Sequence, residues 1–233
     1  MIIAFICIVL IFNTMETISI HRPKIVVIGS CNTDMVVKAN RLPVPGETIL
    51  GGTFYMNPGG KGANQAIAAA RLGAEVTFIS KIGYDLFGLQ ALEIYRSEKI
   101  NTEYIFTDQK SPSGVALISV DSFGENSIIV APGASRSLSI EDINKAEEKI
   151  KEADIILMQL EIPIDTVEYA ATIACKYGKK VILNPAPASS LSNSFLMNVH
   201  TILPNRIEAE MLSGIKVMNI ESAHRAAQAI GEK

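Results

Sequence analysis

Apolar residues in this chain fall into short continuous runs, separated by stretches with helical spacing. Residues 24–29 (KIVVIG) are β-branched and close on glycine, the pattern of a strand buried on both faces of a parallel sheet. Comparable runs lie at 76–80, 155–159, 181–184 and 201–203. Between them, Ala63, Ala66, Ile67 and Ala70 share one helical face, as do Ile143, Ala146 and Ile150, and Val167, Ala170, Ala171 and Ala174. This alternation predicts an α/β sheet with crossover helices on both faces.

Two regions break the rhythm. Residues 35–54 and 104–130 carry short alternating runs and turn residues, among them Pro43, Pro45, Gly46, Gly51, Gly52, Pro112 and Gly124, with no helix-length periodicity. They predict hairpins, forming either an ordinary β-edge or a small β-sheet lid over the mouth of the main sheet. Near the C-terminus, Ile220, Ala223, Ala226, Ala227 and Ile230 make one apolar helix face, with Gly231 as its expected stop. Such a helix normally leads to another strand, so the chain is expected to break off within a βα alternation.

Composition narrows the partners. The 233 residues are 48% hydrophobic and 19% charged, with a net charge of −3, which suits a globular domain and leaves no basic stripe for nucleic acid. Cys7, Cys31 and Cys175 form no CxxC pair, and His21, His200 and His224 share no ligand spacing, so no zinc site is expected. Residues 2–12 are almost wholly apolar but fall short of the roughly 20 residues of a membrane span. Lacking a basic leader and a cleavage site, they read as a non-native extension before a start at Met15, with a secretory signal or anchor as the alternative. The division expected is an extension over 1–23 and one partial domain over 24–233, in the cytoplasm or the nucleus, with no membrane partner.

The densest chemical signal is residues 57–65 (NPGGKGANQ), a glycine-rich loop running into an alanine-rich helix. Glycines permit close approach by a polar ligand, and helix-start amides point outward. Gly62 follows Lys61 where a Walker A loop has Ser or Thr, so a generic nucleotide loop does not fit. Lys61 brings charged donors and Asn64 both donors and an acceptor, a combination suited to neighbouring hydroxyls; a turn with an exposed lysine is the plainer alternative. Asn32, Thr33 and Asp34 follow the first strand, Glu161 the third and Asn184 the fourth, so polar residues recur at strand ends, where ligands bind open α/β sheets. Asn205 and Glu208 open a helix after residues 201–203; on their own they read first as a helix cap, and could also hold magnesium-bound water and phosphate.

Taken in order, the segments GSCNTD (29–34), LPVPGET (42–48), GGKGANQA (59–66), MQLE (158–161), NPAP (184–187) and PNRIE (204–208) resemble the ribokinase branch of the large carbohydrate-kinase family that also includes adenosine kinase and bacterial fructokinases. The resemblance runs from about Lys24 to the last residue. It implies a ribokinase-like wound sheet with helices on both faces, a small β-sheet lid, and a final third missing from this chain. It implies ATP-dependent phosphorylation of D-ribose at the 5-hydroxyl, with Asn32, Thr33, Asp34, Gly59, Gly60, Lys61, Gly62, Ala63, Asn64 and Glu161 at the sugar and Asn184 in support. Asn205 would approach the nucleotide phosphates, and Glu208 would act through the hydration shell of Mg2+. A K+ site and homodimerisation through the lid belong to the full-length family. The Gly-Ala-Gly-Asp segment that supplies the catalytic base would lie beyond Lys233, so no useful kinase activity is expected of the chain as given. Another sugar or nucleoside kinase of the family, or a non-catalytic sugar-binding or lid-pairing fragment, are the alternatives.

Overall fold

The computed structural model describes residues 22–232. The expectations placed on residues 2–12, Met15, Cys7 and His21 lie outside the described residues. Strands β1 (Lys24–Ile28), β4 (Glu75–Gly83), β5 (Ile105–Asp108), β8 (Ile155–Met158), β9 (Lys180–Leu183) and β10 (Thr201–Ile202) form one six-stranded sheet in the order β10-β9-β8-β1-β4-β5. Every pairing in it is parallel, so all six carboxyl ends share one rim.

The β-branched runs form central strands because each residue is covered whichever way it points. Val26 and Ile28 face one side with Ile156 and Met158, against Val167, Ala170, Ala171 and Ala174 of α5 (Ile164–Lys176). Val27, Val76 and Phe78 face the other, against Ala63 and Ala66 of α1 (Lys61–Arg71) and Ala91 and Tyr95 of α2 (Leu86–Ser97). Small residues on α1 and α5 let those helices lie close to the sheet, which fixes where the α1 N-terminus meets the rim.

A second, four-stranded sheet has the order β3-β2-β6-β7, from β2 (Asn32–Lys38), β3 (Thr53–Gly59), β6 (Gly114–Val120) and β7 (Asn126–Ala131). The pairs β2–β3 and β6–β7 are antiparallel and β2–β6 is parallel. Residues 29–31 are all that separates β1 from β2, so the chain passes from the main sheet straight into the second one.

Several expectations need correction. Ile105–Asp108 does not join the second sheet: it pairs with β4 and closes the main sheet. Helix α2 was not foreseen, because exposed Leu86 and Leu89 blur its apolar stripe. The helical spacing over 143–150 belongs to two short helices, α3 (Ile140–Lys145) and α4 (Glu147–Glu152), broken at Ala146. After α6 (Asn193–Leu196) and α7 (Arg206–Ser213), the last helix, α8 (Ile220–Gly231), includes Gly231 and is capped by Glu232. No helix of the described residues is long and apolar enough to cross a membrane.

Candidate functional site

The exit of β1, the entry of α1 and the end of β8 meet at one carboxylate. Glu161 Oε2 accepts from the Ser30 hydroxyl at 2.5 Å and from the Lys61 backbone N–H at 2.9 Å. Its other oxygen lies 3.4 Å from Lys61 Nζ. A carboxylate at the first turn of α1 is also favoured by the positive end of the helix dipole. Three contacts from two elements therefore fix the orientation of Glu161.

Ser30 is the residue that sequence reasoning missed. It is 1% exposed, its carbonyl accepts from Ala63 N at 3.0 Å, and its hydroxyl receives Gly62 N at 3.4 Å while donating to Glu161. These bonds correct the roles expected of Gly62 and Ala63. Their amides are spent inward on Ser30 and both residues are buried, so they seat α1 instead of facing a ligand. The available signal was the Gly-Ser step at a strand end, which reads equally well as a turn.

Asp34 stands beside this cluster on β2, with part of its carboxylate open to solvent and no hydrogen bond from any described residue. Burial is the largest influence on it and pushes its pKa up; the Glu161 charge adds to the rise, and the Lys61 ammonium opposes it. The charges of Lys61 and Glu161 are therefore both felt at Asp34. Gly59, directly across the β-ladder from Asn32, is a steric requirement: a Cβ there would sit 2.0 Å from Asp34 Oδ1. Gly60 has φ +89°, open to glycine at little cost, and a Cβ there would press on Asn32 N and Ser30 O at 3.0 Å. Asn64 is exposed, three residues on from Lys61 and so on the same helix face, and its side chain has no partner among the described residues.

Asn32 and Thr33 are placed differently. Asn32 is 5% exposed and packs against Gly114, where a Cβ would lie 2.1 Å from its Oδ1, an oxygen left without a donor. Thr33, expected at the sugar, points to the opposite face of β2 from Asp34, because side chains alternate along a strand. It lines a cavity of about 390 Å³ behind the second sheet, with Met56 and Pro58.

Farther along the rim, Asn184 Nδ2 donates to Leu203 O at 3.1 Å and ties the ends of β9 and β10 together. Asn205 caps α7 in a reciprocal box: Asn205 Oδ1 accepts from Glu208 N at 2.9 Å, and Glu208 Oε2 accepts from Asn205 N at 2.7 Å. Asn205 Nδ2 also donates to Glu208 Oε1 at 2.8 Å. The capping expectation thus holds, and each Glu208 oxygen keeps a lone pair. Among the described residues no group of three or more His, Cys, Asp or Glu could hold a metal.

The model of the pfkB family of carbohydrate kinases matches residues 22–233. A ribokinase of Haemophilus influenzae is 45% identical over 212 residues, covering 91% of this chain and 69% of that protein. A deoxyribokinase of Salmonella typhi is 39% identical, covering 90% of this chain and 69% of that protein. Among solved structures, Arabidopsis thaliana ribokinase complexed with ribose and ATP superposes with a TM-score of 0.80 at 31% identity, covering 91% of this chain and 69% of that one.

Proposed function

Because the chain belongs to the pfkB family of carbohydrate kinases, we propose that the cleft bounded by Asp34, Lys61, Asn64 and Glu161 binds D-ribose, and that the whole protein phosphorylates its 5-hydroxyl. The observation that carries the reading is Asp34: a half-buried carboxylate without a protein donor, beside an oriented Glu161 and a Lys61 ammonium with hydrogens to spare, is suited to accept hydroxyl groups. An ionised Asp34 accepts two hydroxyl hydrogens, while Lys61 and Asn64 donate to sugar oxygens. Gly59 and Gly60 let the sugar approach, and Asn32 holds the base of β2. The second sheet acts as the lid, excluding water, and pairs with the lid of a second subunit.

ATP, when bound, supplies the phosphoryl group. Glu208 is 5% exposed and both its oxygens accept from Asn205, so it could serve Mg2+ only through the water shell that ion keeps. Asn205 retains a side-chain N–H for a phosphate oxygen, and Asn184 supports the rim. These assignments, like K+ as monovalent cofactor, rest on the resemblance.

Calorimetric titration of the purified chain with D-ribose and 2-deoxyribose, alongside an ATP-dependent phosphorylation assay, tests the proposal. Saturable ribose binding, weaker for 2-deoxyribose and lost in Asp34→Asn, is expected with no measurable phosphorylation. A preference for 2-deoxyribose would move the substrate to the deoxyribokinase side, and binding that survives Asp34→Asn would remove the cleft from the account.

A further inference from the structure

We propose that the groove between the back of the β2–β3 pair and α2 is a second ligand site, suited to a small amphiphilic cation of the arylalkyl amine class. Its volume, about 390 Å³, lies within the range of about 300–1,000 Å³ seen for small-molecule sites. One wall is Thr33, Met56 and Pro58, on the face of the sheet turned away from Asp34. The other is the face of α2 carrying Phe87, Ala91 and Ile94, so two sides of the groove are apolar.

Polar groups free of protein partners rim this apolar floor. The side chains of Thr33, Gln90 and Glu93 line the groove with no hydrogen bond or ion pair among the described residues, Gln90 and Glu93 being open to solvent at its lip. Glu93 is the single charged residue of the lining. A lone carboxylate at the lip of an apolar slot selects for a cation with an apolar body and rejects the matching anion.

The α2 wall is preset. Asp85 caps α2 by accepting Gly88 N at 2.9 Å, and it also takes Ser113 N and Ser113 Oγ, each at 2.7 Å. Farther along α2, the Tyr95 ring meets Phe78 edge-on at 5.4 Å between centroids. A wall already held in place needs little ordering when a ligand arrives.

The test is a saturation-transfer NMR titration of the 233-residue chain with 2-phenylethylamine and, separately, 3-phenylpropanoate, repeated on Glu93→Lys. The wild type should bind the amine saturably, at the roughly millimolar affinity of so small a probe, and the acid about tenfold more weakly. Glu93→Lys should reverse that order, and Gln90→Trp, which fills the groove, should remove both signals. Glu93 is exposed, so the exchange leaves the core alone; should it nevertheless fail to fold, Glu93→Gln must abolish the preference. Equal binding of the two probes by the wild type overturns the site, as does indifference to these substitutions or the lack of saturable binding.

Discussion

The two sheets of this molecule share a strand-to-strand connection but treat apolar residues in opposite ways. In the main sheet Val27, Ile28, Phe78, Ile79 and Ile156 are fully buried, each covered by helices of the same chain. In the second sheet Phe54, Leu117, Ile129 and Val130 remain 47–70% exposed, on both of its faces. Helices of the chain cover the centre of the main sheet, while the second sheet leaves apolar area open on both faces. The site lies at the join, where rigid strand ends meet strands with little holding them down.

The sharpest way to break that contrast is to truncate one residue in each sheet. Ile156→Ala should cost about 2–5 kcal/mol in urea unfolding, because it opens a cavity in a packed core, whereas Ile129→Ala should stay within about 0.5 kcal/mol. Similar losses would mean that the second sheet is as self-sufficient as the first.

At the join itself, Ser30→Ala removes a donor to Glu161 and the acceptor for Gly62 N in a buried setting, which should cost about 1–3 kcal/mol. Ribose affinity should fall with it, read by calorimetry, because Glu161 loses one of its three anchors. Gly59→Ala should leave stability less affected but weaken ribose binding by about tenfold, since the new methyl displaces the Asp34 carboxylate. Unchanged affinity in that variant would separate Asp34 from the sugar.

The smallest expected effect has an unusual sign. The Asp34 carboxyl titrates above its ordinary value in the folded chain, mainly through burial, so ionising it costs stability as pH rises from the unfolded value through the folded one. Asp34→Asn should therefore stabilise the chain at neutral pH, by about 0.5 kcal/mol or less after solvent screening, while abolishing ribose binding. In the wild type, ribose affinity should rise with pH across the carboxylate range, because only the ionised form accepts two hydroxyls. Thermal melts with parallel titrations read both.

What could be read from the letters follows the same division. Strands β1, β4, β8 and β9 announce themselves as β-branched runs because burial on both faces demands apolar residues throughout. The second sheet shows as turns and alternation, but alternation does not say which sheet a strand joins, and Ile105–Asp108 pairs with β4 of the main sheet. At the site, residue types pointed to Asp34, Lys61, Asn64 and Glu161, and Lys61 and Glu161 are in contact. They could not foretell which amides would be consumed: Gly62 and Ala63 give theirs to Ser30, a residue whose small polar side chain carries no chemical signature of its own. Thr33 sits next to Asp34 in sequence and on the other face of its strand in space.

Asp34, Lys61, Asn64 and Glu161 are proposed to surround one pentose. A crystal structure of the chain grown with D-ribose tests it most directly. The account predicts sugar density within hydrogen-bonding distance of the Asp34 carboxylate and of the Lys61–Asn64 face of α1, with Glu161 still held by Ser30. Ribose seated elsewhere, or bound with Asp34 turned away from it, would contradict the account.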